Sequence, residues 1–347
     1  YERGCTTHIL DAAFSKLVPP LQRLLDIISQ SRQVDDHFLK QFYPETAQWQ
    51  FGMDLLQRMG FDGNAGRQDR SEHPITINLN SRDVRITTRI DEQDISNMTW
   101  STIHELGHAL YELGIPAEQY GLPLGEYASL GIHESQSRLW ENNVGRSMPW
   151  TRQFLPVLKK YFPDQLGSVS ANHFYQAINL VKPSLIRTEA DELTYHFHVI
   201  IRYELEKELI GGNLSVQDIP AYWASLYKKY LGINVPDDRS GCLQDVHWSH
   251  GSFGYFPTYS MGSLYAAQFY AAAQSAMPDL ESQVENGNFT NLLSWLRENI
   301  HIHGRRYTSE ELCEKITGEG INSTYFMQYV TNKYRFIYAF QMEEVAL

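Results

Sequence analysis

Three cysteines, Cys5, Cys242 and Cys313, are all that the 347-residue chain contains. They are too few and too scattered to staple a disulfide scaffold or build a thiolate metal cage, and they fit a reducing, cytoplasmic compartment. Long apolar runs are also missing. The most apolar stretch, Leu264 to Ala273, is short and interrupted by Gln268, which leaves no candidate membrane span. The first residues, YERGCTTHILDAAF, lack the basic start and apolar middle of a secretory leader. Positive charge is scarce: 29 Lys+Arg stand against 41 Asp+Glu, a formal net charge of −12. No basic stripe exceeds Arg305-Arg306 or Lys159-Lys160, so neither nucleic acid nor an anionic membrane is expected as a partner. Internal repeats, low-complexity tracts and Pro/Gly/Ser linkers are absent too, and nothing divides the chain into domains.

What is present is helical periodicity. Residues 6–30 carry Ile9, Leu10, Phe14, Leu17, Leu21, Leu24, Leu25 and Ile28, mostly at the spacings of three and four that mark an amphipathic helix. Residues 33–59 read the same way. Further helices are expected at 94–113, 126–145, 150–161, 170–180, 184–210 and 217–231, with a last helical stretch over 262–340. One region alternates instead. Ile75, Ile77 and Leu79, then Val84 and Ile86 beyond the turn-prone Asn80-Ser81, predict a β-hairpin. Asp83, Arg85 and Thr87 form a polar row on the other face of its second strand. Residues 236–262, rich in Gly, Asp, Ser, His and aromatics without a period, predict a long functional loop. The expected fold is mainly α with one small sheet.

Within WSTIHELGHALYELG, His104 and His108 fall at i and i+4 on one helix face with Glu105 beside the first. Two imidazoles at this spacing reach one cation, and the carboxylate lies next to its bound water. Random placement in a chain of this composition yields the HExxH pattern only about 0.03 times. The plainer alternative is two histidines satisfied in a core helix. Gly107, inside the motif, costs a helix about 1 kcal/mol relative to Ala, a cost that fits a close approach by another backbone. A catalytic site needs a third protein ligand and an open position. Glu134 in LGIHESQSRLWENN follows far enough on for a turn and a return helix; its alternative is a surface helix glutamate. His133 is a second possible ligand or a partner behind the ligands. The pairs His196/His198 and His301/His303 are two residues apart, point away from each other on a helix and are not expected to bind metal.

Several segments together resemble the M32 metallocarboxypeptidases, the family typified by carboxypeptidase Taq. They are HPI at His73, DVRIT from Asp83, HELGH from His104, HESQ from His133, IRTEADELTYHFHVIIR from Ile186, and GCLQDVHWSHGSFGYFPTY from Gly241. The resemblance implies a mostly helical fold of the HExxH zincin type with a deep cleft. It also implies zinc, replaceable by cobalt, on His104, His108 and Glu134, with Glu105 as general base, and stepwise removal of amino acids from peptide C-termini, commonly by a homodimer. Family members begin with a further helical region, so a single, N-terminally shortened catalytic domain over residues 1–347 is expected. Ile75 stands where the family usually has Phe.

An exopeptidase must hold the terminal carboxylate, for which arginine offers a planar two-toothed fork. Arg187 is the first candidate and Arg202 the second, although Arg187 and Asp191 also have the i, i+4 spacing of a routine helix ion pair. Tyr255 and Tyr259 in GSFGYFPTY are candidate donors to an oxyanion or to the substrate; their alternative is packing. His73, His247 and His250 are candidates for binding substrate or orienting those donors. Asp83 and Arg85 are expected to pair with each other and shape the cleft. The resulting expectation is a soluble zinc carboxypeptidase acting on peptides with a free C-terminus. An HExxH oligopeptidase that cuts internally, or an inactive metal-binding or dimerisation module, are the alternatives.

Overall fold

The computed structural model describes residues 1–341. Helix α1, Thr7–Gln30, buries Phe14, Leu17, Leu21, Leu24, Leu25 and Ile28, the stripe its periodicity predicts. Each such side chain contributes about 1.5–3 kcal/mol when withdrawn from water. The helix expected at 33–59 is interrupted. Pro44 halts a short turn at His37–Lys40, and α2 runs over Glu45–Arg58, because the residue before a proline avoids the helical region.

Three strands follow: β1 Gly66–Arg70, β2 Thr76–Asn80 and β3 Asp83–Thr88, in the order β1-β3-β2. The β2–β3 hairpin is antiparallel, with Ile77 opposite Arg85 and Asn78 opposite Val84. The parallel partner β1, GRQDR, has no apolar alternation to announce it. The faces of β2 also differ from expectation. Ile75, Ile77 and Leu79 are exposed at 45–47% and share the outer face with Arg85, while Thr76 and Asn78 turn toward α3, Thr76 half-buried and Asn78 still exposed. Their inward position has a purpose in the site.

The remaining helices are α3 Ile95–Glu112, α4 Leu130–Arg138, α5 Met148–Tyr161, α6 Pro163–Leu166, α7 Ala171–Ala177, α8 Tyr195–Ile210, α9 Ile219–Leu231, α10 Pro257–Ala276, α11 Leu280–Glu285, α12 Thr290–Asn299, α13 Ser309–Thr317 and α14 Ser323–Tyr338. After α4 the chain continues as a π-helical segment, Leu139–Gly145. The helix expected at 184–210 starts only at Tyr195: Arg187–Glu189 is an isolated turn, and Asp191 accepts bonds from the N–H groups of Lys182, Leu193 and Thr194. The expected loop ends early, since Pro257 opens α10 and places Tyr259 on a helix, as suits a proline whose missing N–H costs nothing in the first turn.

Two hydrophobic cores result, one built largely from α2, α3, α5, α10 and α12, the other from α1, α8, α9 and α14. Helix α10 serves both, Met261, Tyr265 and Phe269 facing the first and Leu264 and Ala267 the second. Among the described residues no helix is long and apolar enough to cross a membrane.

Candidate metal centre

Helices α3 and α4 are drawn together at a glycine. A Cβ on Gly107 would lie 2.6 Å from Gln136 O and from Ser137 Cα, so only glycine permits this crossing. From another helix, a Cβ on Gly262 of α10 would lie 2.5 Å from Glu134 Cγ. Glu134 is therefore held between two helices that each approach at a glycine, and its side chain is directed at α3.

There, Glu134 Oε2 lies 3.6 Å from His104 Nε2 and 3.4 Å from His108 Nε2. All three ligand atoms fall within 4.8 Å of one another. A tetrahedral zinc ion with bonds of about 2.0–2.1 Å separates its ligand atoms by about 3.3–3.4 Å. The donor set of two imidazole nitrogens and one carboxylate oxygen thus fits one such cation. The ligand side chains keep limited access to solvent, 20% for His104 and 15% for His108.

Each ligand is fixed from behind. His104 Nδ1 lies 2.9 Å from Glu141 Oε2, Glu141 being supplied by the π-helical segment. Arg138 bridges the two acids, donating from Nε to Glu134 Oε1 at 2.7 Å and from Nη1 to Glu141 Oε2 at 3.2 Å. Since Arg138 occupies Oε1, Glu134 turns Oε2 toward the histidines. His108 Nδ1 contacts His133 Nδ1 at 2.6 Å. On the strand side, Thr76 Oγ1 donates to Glu105 Oε2 at 2.5 Å, and Asn78 Nδ2 donates to Glu112 Oε2 at 2.5 Å. The inward polar row of β2 thus holds the acids of α3.

Charge follows this geometry. Burial opposes ionising Glu134, yet Arg138 and then His104 hold its carboxyl well below the usual range. Glu141 likewise falls to about 2, Arg138 overcoming burial. Burial disfavours charge on His104, but Glu134 and Glu141 outweigh it and raise its proton affinity. Burial, reinforced by His133, pushes His108 down to about 3. The carboxyl of Glu105 is raised, chiefly by burial.

A second face lies beside the first. Arg187 Nε donates to Asp245 Oδ1 at 2.9 Å, Nη2 approaches the same oxygen at 2.8 Å, and Nη1 donates to Tyr195 Oη at 3.0 Å. Asp245, not Asp191, is its partner. Among the described residues these bonds commit three of the five guanidinium N–H groups and leave one on each Nη. Arg202 is fully buried. It donates to Asp245 Oδ2 at 2.6 Å, to Gln244 Oε1 at 2.9 Å and to His198 O at 2.8 Å, with Trp223 against its guanidinium. With no surface of its own, Arg202 supports Asp245 and is not available to a substrate, which corrects its assignment as a second binding group. Tyr195 joins the two faces: it accepts from Arg187, and Arg138 sits 4.4 Å over its ring.

Tyr259 Oη lies 2.9 Å from His247 Nε2, and its ring is 5.0 Å from the Arg187 guanidinium. Tyr255 packs on Tyr259 and on Tyr1. Burial, followed by the charge of Glu134, pushes Tyr255 up to about 12; burial raises Tyr259 further. Both phenols remain donors at neutral pH. His247 is pushed down to about 4 by burial and Arg187. The structure therefore gathers His104, Glu105, His108 and Glu134 on one face and Arg187, His247 and Tyr259 on the other, with Tyr255 packed on His247 and Tyr259. His73 is exposed in the turn before β2, and His250 is exposed in the turn Trp248–His250. Asp83 and Arg85 do pair, at 3.0 Å. His196 and His301 bond to Ser260 and Gln136, and His198 to Tyr227, outside the ligand set.

Sequence reading missed Glu112, Arg138, Glu141, Tyr195, Glu206 and Asp245. Glu112 and Arg138 each stand four residues from a ligand, the spacing that makes helix neighbours, and are recoverable on that ground. Glu206 accepts from Trp248 Nε1 at 2.7 Å and from Gly254 N at 3.0 Å, pinning both ends of the loop before Tyr255; no local pattern marks it.

This chain is similar along its length to one family. The Carboxypeptidase Taq (M32) metallopeptidase profile matches residues 1–334. Thermostable carboxypeptidase 1 of Thermus thermophilus is 44% identical, covering 97% of this chain and 66% of that protein. Carboxypeptidase 1 of Bacillus subtilis is 40% identical, covering 97% and 68%. A crystal structure of an M32 carboxypeptidase from Deinococcus radiodurans superimposes with a TM-score of 0.95 at 43% identity, covering 98% and 68%. The chain spans about two thirds of the length of these relatives.

Proposed function

Because the chain belongs to the carboxypeptidase Taq (M32) metallopeptidase family, we propose that it is a zinc-dependent carboxypeptidase that removes C-terminal residues from peptides with broad specificity. The observation that carries this reading is the convergence of His104 Nε2 and His108 Nε2 on Glu134 Oε2, at 3.6 and 3.4 Å, with all three atoms within 4.8 Å of one another and Glu105 next to His104 on α3. When bound, the cation, zinc or cobalt, supplies a Lewis acid that polarises a water molecule and the scissile carbonyl. Glu105 takes a proton from the attacking water and returns it to the leaving amine. Its raised proton affinity suits a group that must hold that proton between the two events. Thr76 fixes Oε2, so that the other oxygen meets the water.

The substrate's terminal carboxylate is held by the two uncommitted N–H groups of Arg187, whose fork is fixed by Asp245 and Tyr195. Tyr259, oriented by His247, and Tyr255, packed on it, donate to the developing oxyanion or to the carboxylate. His73, exposed before β2, is the further candidate for binding the peptide. Residues 1–347 act as one catalytic domain in the cytoplasm. All three cysteines are unpaired, which suits that compartment. A homodimer belongs to the same proposal and is checked by mass in solution.

The test is release of the C-terminal residue from an N-blocked dipeptide, as free acid and as amide, by chelator-stripped protein with zinc or cobalt restored. Metal-dependent cleavage of the acid alone is expected. Equal cleavage of both would make the protein an endopeptidase, and cleavage of neither by the metal-loaded protein would leave a binding module.

A further inference from the structure

The two histidines of the metal face are supported in different ways. His104 gives its outer nitrogen directly to a carboxylate, Glu141, the usual partner of a metal-binding imidazole. His108 gives its outer nitrogen to another imidazole. His133 Nδ1 lies 2.6 Å from His108 Nδ1, His133 Nε2 lies 2.8 Å from Glu112 Oε1, and Asn78 Nδ2 donates to Glu112 Oε2. The rings of Tyr111 and Tyr127 flank His133 at 5.3 and 4.9 Å and restrict its rotation.

Two nitrogens in contact need one donor and one acceptor. Glu112 already receives an N–H from Asn78 on one oxygen. As a carboxylate it only accepts, so it requires His133 to carry its proton on Nε2. His133 Nδ1 is then an acceptor, His108 must donate from Nδ1, and His108 Nε2 is left with a lone pair facing Glu134 Oε2. With His133 neutral, this is the arrangement that pairs every contact from Asn78 to His108, and it is the one that leaves His108 ready to bind a cation; a doubly protonated His133 would donate at both ends and place the proton of His108 on Nε2. We propose that Glu112, acting through His133, is a positioning residue that sets the tautomer of His108 and thereby the metal affinity of the site. The chain of contacts begins on β2, so the edge strand is tied to a metal ligand as well as to Glu105. This inference rests on the reading of His108 as a ligand.

Without Glu112, His133 is free to carry its proton on Nδ1, which forces the proton of His108 onto Nε2, where it blocks coordination. Glu112→Leu is therefore expected to weaken zinc binding about 10- to 100-fold, the range seen when such outer partners are lost. Affinity is measured by chelator competition with zinc alone. The 15N shifts of the histidines in metal-free protein report the tautomer, and His108 should change from Nδ1–H toward Nε2–H. His133→Asn, whose side-chain oxygen can accept directly from His108, is expected to regain most of the affinity lost in His133→Leu. If the wild type binds no zinc, the reading of the site fails. If the wild type binds zinc and folded Glu112→Leu binds it equally well with an unchanged His108 tautomer, this inference fails. Should Glu112→Leu not fold, Glu112→Gln carries the test: its amide can present a donor to His133, a mixed His108 tautomer and several-fold weaker binding are expected, and unchanged values overturn the proposal.

Discussion

The metal face and the arginine face of the site differ in how their parts are brought together. His104, Glu105, His108 and Glu134 stand on two helices joined by one connection, and most of their supports, Glu112, His133, Arg138 and Glu141, lie on the same helices or in the segment that continues them, with Thr76 and Asn78 reaching in from β2. The arginine face is assembled at long range: Arg187 meets Asp245 across 58 positions of sequence and Arg202 meets it across 43. The first face is a property of helix periodicity, the second a property of the whole fold. Changes to the ligating and acid–base side chains of the metal face should therefore alter chemistry or metal with little effect on folding. Changes to the buried pairs of the arginine face should alter stability first.

The largest expected effect separates the two most sharply. Glu105→Gln should lower kcat by about 10²- to 10⁴-fold, the usual worth of a general base, while zinc content and the unfolding midpoint stay as in the wild type. Full activity with metal retained would remove Glu105 from its role. Asp245→Asn is the counterpart. It leaves Arg187 and Arg202 buried with no counter-charge, which should cost about 3–5 kcal/mol in denaturant unfolding. Its pH dependence sharpens the comparison. Burial alone would raise Asp245, but Arg202 and Arg187 hold it below its ordinary 3.8. A carboxyl depressed on folding contributes stability that is present above its unfolded value and is lost as pH falls through the folded one. The wild type should lose this contribution below about pH 3.8, and Asp245→Asn should lack that part of the acid transition.

Arg187→Ala tests the crossing point of the two faces. Loss of charge-assisted bonds worth about 1.5–3 kcal/mol should reduce kcat/KM for a free-acid substrate about 10- to 100-fold and leave zinc affinity as it was. A loss of activity matched by a loss of zinc binding or of fold would assign Arg187 to structure alone. The smallest effect expected is at Gly107→Ala. Alanine gains helix propensity of about 1 kcal/mol, yet its Cβ would meet the α4 backbone at 2.6 Å. Overpacking of this kind costs about 1–3 kcal/mol, so a net loss of stability and a weaker metal site are expected; a net gain would show that α4 yields easily.

How much of this was legible in the sequence follows the same division. The helical class, the apolar stripe of α1, the hairpin and the HExxH face all rest on residues within a turn or a strand of each other, where periodicity speaks. Gly107 announced a close approach, and α4 supplies it. Arg187 was visible as a candidate, but its apparent partner at i+4 was wrong because Asp191 is spent on backbone N–H groups ahead of α8. The inward face of β2 was misread for a chemical reason: Thr76 and Asn78 turn toward α3 to bond Glu105 and Glu112, and the apolar residues are left outside. The strand β1 escaped because its residues are polar and its pairing with β3 is non-local.

The central claim, that His104, His108 and Glu134 hold one catalytic cation, is tested most directly by anomalous diffraction at the zinc edge from crystals of the chain grown with zinc. A single peak between His104 Nε2, His108 Nε2 and Glu134 Oε2 is predicted, and it should vanish in Glu134→Ala. No peak there in crystals with zinc bound elsewhere, or a peak that persists without Glu134, would contradict the account.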